Sequence, residues 1–148
     1  MSIVVGVSMD GVRVPLSRDD VSRVVQSVLR AEGVADAMLS VTFVTTSGIR
    51  QLNRTHLRRS GPTDVISFGF RRAHRRAPLI GDVYIAPDVA RESAKANGVT
   101  IREELVRLVV HGVLHALGHD HPEGATRTSS PMWRKQERLV RRLARSVA

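Results

Sequence analysis

Apolar residues recur along the chain with two different periods, and these predict an alternation of strands and helices. β-branched runs and alternating apolar positions predict strands at residues 2–8, 39–45, 64–70 and 79–86. A spacing of three and four residues predicts helices at residues 17–33, 47–57, 87–97, 100–117 and from 130 onward. A basic loop joins the last two strands, and we therefore expect them to form a hairpin.

Strands mixed with helices predict a domain of the α/β or α+β class, and the hairpin argues against a purely parallel sheet. The chain has 148 residues, of which 42% are hydrophobic and none is cysteine. A core of this size forms without disulfides, so we expect one domain over residues 1–148. The helix that begins at the capping box of Thr100 and Glu103 is apolar on most sides, which predicts that it is buried.

The charge of the chain favours a polyanionic partner. The net charge is +9, from 23 basic and 14 acidic residues, and most of the basic residues are arginines, which bind phosphate bidentately. An arginine-rich composition without any functional meaning explains this balance equally well. Aromatic residues make up only 3% of the chain, so we expect RNA contacts through phosphates rather than stacked bases. The hairpin loop supplies four candidate RNA-binding residues, Arg71, Arg72, Arg75 and Arg76, although a solvated loop tip is the alternative.

The N-terminus gives no sign of export or membrane insertion. No basic stretch precedes its short apolar run, and no segment of the chain is long enough to cross a bilayer. Both observations favour a cytoplasmic protein.

The segment HGVLHALGHDHPEG, residues 111–124, contains four of the six histidines. His111 and His115 are four residues apart and therefore project from one face of the predicted helix. Gly118 suits a left-handed residue at the helix end, which would return His121 toward the same ion. The spacing HxxxHxxGxxH is that of the metzincin zinc site, and without cysteine any transition metal must be bound through nitrogen and oxygen.

The remaining polar residues of this segment leave alternatives open. His119 and Asp120 compete for the place of third ligand, and Asp120 could instead accept a hydrogen bond from a ligand imidazole. If either residue filled a fourth position, the metal would be structural. Zincin proteases carry a glutamate base directly after the first histidine, where this chain has Gly112. An amide hydrolase would therefore need another base, such as Glu123.

Three segments in the same order resemble the YbeY family of bacterial endoribonucleases and rRNA maturation factors. They are HGVLHALGHDH at 111–121, PTDVISF at 62–68 and GDVYIA at 81–86. The resemblance extends from Ile49 to the last helix and includes Leu52, Asn53, Met132, Gln136 and Glu137. It implies an α/β fold around a mixed, mostly parallel four-stranded sheet. It also implies that His111, His115 and His121, but not His119, hold one divalent metal, usually zinc.

By the same resemblance, the protein is expected to cleave single-stranded RNA in 16S rRNA 3′-end maturation and late ribosome quality control. The implied partners are the small ribosomal subunit and a GTPase of its assembly. One position departs from the family pattern, because the arginine associated with RNA cleavage is Leu57 in this chain. Arg58 and Arg59 follow directly, and we take them as the candidate catalytic arginines.

Overall fold

A computed structural model describes residues 2–56, 63–70, 72–74, 76–122 and 124–146. Strands and helices alternate along this part of the chain, and a short 3₁₀ helix at Gly124–Ser129 precedes the last α-helix. The elements are β1 (Ile3–Met9), α1 (Arg18–Ala31), β2 (Ala37–Phe43), α2 (Thr46–His56), β3 (Val65–Gly69), β4 (Leu79–Ile85), α3 (Pro87–Asn97), α4 (Ile101–Ala116) and α5 (Pro131–Ser146).

The strands form one mixed sheet in the order β1-β2-β4-β3. β1, β2 and β4 are parallel, and β3 pairs antiparallel with β4 as the predicted hairpin. The expected α/β fold with a mixed, mostly parallel four-stranded sheet is confirmed. β2 begins two residues earlier than the apolar alternation predicted, because Ala37 pairs with both Ile3 and Leu79.

The predicted helix boundaries follow the capping residues. The hydroxyl of Ser17 accepts the N–H of Asp20 at 3.0 Å, and that of Thr100 accepts the N–H of Glu103 at 3.1 Å. At the end of α3, Gly98 has a left-handed φ of 66°. The 3₁₀ helix was not predicted, because its sequence GATRTS has no apolar period.

Helix α4 lies at the centre of the core, as its apolar sequence predicted. Eleven of its sixteen residues are buried, and it packs against α1, α3, α5 and the β3–β4 hairpin. The opposite face of the sheet is partly open. There Val4, Met38 and Ile80 are paired side by side across β1, β2 and β4, and all three are exposed.

Helix α5 packs its apolar stripe inward, with Leu139, Val140 and Leu143 buried. The arginines on the other side of this helix are exposed, and they are Arg134, Arg138, Arg141, Arg142 and Arg145. Among the helices that the structure describes, none combines the length and apolar character that a membrane span requires.

Candidate metal centre

Helix α4 and the turn after it bring three of the predicted ligands together. His111 and His115 lie one turn apart on α4, and Gly118, with a φ of 101°, reverses the chain toward His121. One potential ligand atom from each of the three histidines lies within 4.8 Å of the other two. The ring centroids are 4.5 to 5.2 Å apart. The described residues therefore offer a compact set of three nitrogens.

Hydrogen bonds orient the rings for metal binding. Gln136 donates its amide N–H to Glu137 at 3.0 Å, which turns its carbonyl oxygen toward Nδ1 of His111 at 2.6 Å. Because an amide oxygen only accepts, Nδ1 of His111 carries the proton, and Nε2 keeps its lone pair. Nδ1 of His121 lies 3.1 Å from the carbonyl oxygen of Pro122, and the backbone of His119 hydrogen-bonds His115. A second hydrogen bond of this kind is typical of histidines that bind metals, so the residues fit the group.

Burial also keeps the helical imidazoles in the form that binds a metal. It lowers the pKa of His111 to about 4, against the opposing effect of the hydrogen bond that His111 donates to Gln136. It lowers the pKa of His115 as well, with a further coulombic contribution from His121. Only neutral imidazole has a lone pair to offer, so both side chains are ready to bind near neutral pH.

Gln136 is itself fixed by a charged network. Oε2 of Glu137 accepts both the amide N–H of Gln136 at 3.0 Å and the guanidinium N–H of Arg107 at 2.9 Å. Arg107 also binds Glu104 at 2.9 Å and Glu103 at 3.2 Å. Although burial lowers the pKa of Arg107, its carboxylate partners raise it overall. The network ties the orientation of His111 to the packing of α5 on α4.

Gly112 is the point of closest approach between α4 and the sheet. A Cβ atom at this position would lie 2.5 Å from Cγ1 of Val83 and 3.1 Å from the hydroxyl of Ser67. The same hydroxyl donates a hydrogen bond to the Gly112 carbonyl at 2.9 Å. A glutamate base therefore has no room here, which agrees with the expectation that the chain is not a zincin-like amide hydrolase. Glu123, the alternative base, lies outside the described residues.

The two rivals for the third ligand position make other contacts. Nε2 of His119 hydrogen-bonds the carboxylate of Glu32, which also binds Lys135 at 2.9 Å. Asp120 lines the cavity beside the histidines, and its Oδ1 accepts the backbone N–H of His121 at 2.8 Å. That Asp120 accepts a hydrogen bond from a ligand imidazole stays a prediction. Sequence reasoning did not find Glu32, because it lies 87 residues from His119 along the chain.

The histidines open into a cavity of about 510 Å³. Arg127 of the 3₁₀ helix lines this cavity together with Asp64, whose pKa is raised by burial. A neighbouring cavity of about 570 Å³ shares His115 and is lined by Phe70, Arg72 and His74. Sequence reasoning missed Arg127, because nothing distinguishes it from the many other arginines.

Of the six arginines predicted to bind or cleave RNA, the structure describes only Arg72 and Arg76. Arg72 lines the second cavity, and Arg76 is exposed in the hairpin loop. Arg58, Arg59, Arg71 and Arg75 lie outside the described residues.

Comparison with known proteins identifies the family. The family model described as Endoribonuclease YbeY matches residues 10–144. The chain belongs to the YbeY family. The YbeY endoribonuclease of Bacillus licheniformis is 34% identical over 96% of each chain. That of Aquifex aeolicus is 36% identical over 72% of this chain and 71% of its own. The solution structure of TM1509 from Thermotoga maritima has the same fold, with a TM-score of 0.66 and 24% identity over 97% of this YbeY chain and 91% of TM1509.

Proposed function

We propose that this YbeY family member is a metal-dependent endoribonuclease that cleaves single-stranded RNA in 16S rRNA 3′-end maturation and ribosome quality control. One observation carries the proposal: three histidines, two of them kept neutral by burial, converge on a cavity that is open to a substrate. The relatives at 34% and 36% identity bear the name endoribonuclease. A cytoplasmic location belongs to the same proposal, because ribosomes assemble there.

The proposed ligands of the metal are His111, His115 and His121, and the proposed metal is Zn²⁺. A divalent ion held there supplies Lewis-acid chemistry, because it polarises a phosphoryl oxygen and makes water more acidic. The protein contributes the fixed orientation of His111 through Gln136 and the neutral state of the two helical imidazoles. Three protein ligands leave a position open for water or substrate, as in catalytic zinc sites.

The proposed RNA path runs from this cavity across the neighbouring one. Arg72 and His74 line the second cavity, and His115 belongs to both. Phosphate groups are proposed to lie along Arg72 and Arg76, continued by Arg71 and Arg75. Arg58 and Arg59 remain the proposed catalytic pair from the sequence. The proposed partners are the small ribosomal subunit and an assembly GTPase, as the family resemblance implies.

A structural metal in a non-catalytic assembly factor is the weaker reading. It calls for a fourth protein ligand, yet His119 is bound to Glu32, and Asp120 accepts a backbone N–H. In the part of the chain that the structure describes, the group able to hold a metal contains three histidines and no fourth ligand.

Cleavage of a labelled single-stranded RNA by zinc-loaded protein tests the proposal. The matched control is His115→Ala, purified identically so that contaminating nucleases are equally present. We expect cleavage by the parent, none by the variant, and little cleavage of the same sequence in a duplex. Equal cleavage by both proteins would assign the activity to a contaminant. No cleavage by either, with RNA binding retained, would favour the assembly factor.

The arginine pair is tested with an Arg58→Ala, Arg59→Ala double variant. We expect slower cleavage with unchanged zinc content. Cleavage at the parent rate would remove both residues from the proposed mechanism.

A further inference from the structure

Arg127 is a positively charged residue that lines the histidine cavity and has no assigned role. It belongs to the 3₁₀ helix Gly124–Ser129 and borders the cavity that contains the three histidines. It also borders an adjoining cavity of about 210 Å³ beside Trp133 and Gln136. Its side chain therefore lies between the metal centre and the residues that orient it.

Local contacts hold Arg127 at this place. Its carbonyl oxygen accepts the hydroxyl of Ser130 at 2.8 Å and the backbone N–H of Ser130 at 3.2 Å. Its guanidinium carbon lies 5.5 Å from the ring centroid of Trp133, within the range of a cation–π contact. The backbone is thus tied to the start of α5, and the side chain rests on an aromatic ring.

Arg127 and Arg107 differ in the partners of their guanidinium groups. Arg107 is half-buried and binds three carboxylates. Arg127 is exposed, and within the described ranges no carboxylate forms an ion pair with it. A guanidinium with uncommitted donors is suited to bind an oxyanion bidentately.

The charge of Arg127 acts on the groups inside the cavity. Burial raises the pKa of Asp64, and the positive charge of Arg127 opposes this change. Asp64 and Arg127 line the same cavity as the three histidines, so the charge of Arg127 acts inside that cavity.

We infer that Arg127 binds the non-bridging oxygens of the scissile phosphodiester, next to the metal held by the three histidines. This inference rests on the proposed function. Where the family has an arginine, this chain has the uncharged Leu57. Arg127 would give the site the positive charge that is missing there.

The chemistry of hydrolysis explains the need for such a cation. The water oxygen forms a bond to phosphorus, and the bond from phosphorus to one ribose oxygen breaks. One water proton passes to the leaving ribose oxygen, and the other is released from the new phosphomonoester. Negative charge accumulates on the phosphoryl oxygens before the bond breaks, and Arg127 stabilises it while remaining protonated.

Cleavage kinetics of Arg127→Ala, Arg127→Lys and Arg138→Ala test the inference. Arg138 is exposed on the neighbouring helix α5 and does not line the histidine cavity. We expect kcat to fall about 100-fold in Arg127→Ala, less in Arg127→Lys, and not at all in Arg138→Ala. Free guanidinium ion is expected to restore part of the activity of Arg127→Ala and none of the activity of His115→Ala.

A binding measurement separates a phosphate contact from a structural role. Chelator-treated protein is titrated with the same RNA at several salt concentrations. For a single strand the slope of log Kd against log salt falls by about 0.7 for each lost phosphate contact. We expect that loss in Arg127→Ala and the parent slope in Arg138→Ala. Zinc content, measured by mass spectrometry, is expected to equal that of the parent in both variants.

The outcomes distinguish this inference from the proposed function. If the parent cleaves RNA and Arg127→Ala matches it in kcat and salt slope, the inference fails and the endoribonuclease stands. If the parent does not cleave, the proposed function fails first. If Arg127→Ala is unfolded or has lost its zinc, Arg127→Lys replaces it, and parent kinetics in that folded variant would overturn the need for a bidentate guanidinium.

Discussion

The metal centre has a helix side and a loop side, and the two are built differently. On the helix side, His111 and His115 project from a buried helix, and His111 is only 6% exposed. On the loop side, His121 and Asp120 follow the turn at Gly118, and Arg127 is exposed. The packed core fixes two of the proposed ligands and keeps them neutral. The loop holds the third proposed ligand and the charge of Arg127, where we propose that substrate reaches them.

This contrast predicts that substitutions on the helix side act on stability and metal affinity, whereas substitution of Arg127 on the loop side acts on RNA. The largest effect is expected from Gly112→Glu. Its Cβ would meet Val83 at 2.5 Å, and its carboxylate would be buried without a partner. We expect a loss of about 3 kcal/mol or more in the free energy of unfolding, measured with urea on chelator-treated protein.

The control for this substitution is Gly112→Ala, which adds the same Cβ without the charge. We expect it to be destabilised as well, but less than Gly112→Glu. Parent stability in both variants would show that the contact between α4 and the sheet can relax freely, and the argument against a glutamate base would be lost.

The second effect is a pH dependence of the metal-free protein. The imidazole of His111 titrates at about 4 in the fold and near 6.5 in the unfolded chain. Between these values the unfolded chain binds more protons, so the free energy of unfolding decreases as the pH falls. We expect about 2 kcal/mol less stability at pH 5 than at pH 7.5 from this group. Urea titrations at both pH values measure it, and His111→Gln should reduce the difference. An equal difference in that variant would assign it to other groups.

The third effect concerns the orientation of a ligand. Gln136→Leu removes the oxygen that holds Nδ1 of His111. We expect zinc affinity to fall by about 10- to 100-fold, because such partners fix the tautomer and direction of the ring. Competition with a chromophoric chelator measures the affinity. Gln26→Leu is the control, since Gln26 also makes side-chain hydrogen bonds but on α1. Equal affinity in the two variants would leave Gln136 with a packing role.

The smallest effect is expected from Glu32→Gln. Burial raises the pKa of Glu32, but hydrogen bonds with Lys135 and His119 lower it overall, so the carboxylate is charged. Through His119 it holds the loop that follows α4. Its loss should weaken zinc binding only a few-fold, since a partly exposed ion pair contributes about 1 kcal/mol or less. Asp88→Asn, which breaks the exposed pair with Arg91, is the control. A decrease in zinc affinity as large as that of Gln136→Leu would mean that the loop contributes as much to zinc binding as the helix does.

The helix side could be predicted from the sequence, because its signals are local. The capping box of Thr100 and Glu103, the apolar run of α4 and the four-residue spacing of His111 and His115 all lie within one segment. Gly118 marked the turn for a similar reason, since its left-handed φ is the conformation that glycine adopts most easily. The hairpin was predictable from two strands and the loop between them.

The remaining features depend on contacts between distant residues. The position of β4 between β2 and β3 follows from a crossover that no local pattern encodes. Gln136 was recognised as part of a family pattern, but its contact with His111 spans 25 residues. Arg127 acquires its place from a 3₁₀ helix without an apolar period. The sequence therefore predicted that the three histidines come together, but it did not predict the groups that orient and surround them.

The close contact of Gly112 with Val83 and Ser67 has an evolutionary consequence. A chain with this packing cannot acquire the glutamate of the zincin proteases by one substitution, because the intermediate would lose stability before it gained a new activity. Smaller residues on β3 and β4 would have to come first. The two chemistries share a spacing of histidines, yet a barrier of folding stability separates them, and it is set by the packing of α4 against β3 and β4.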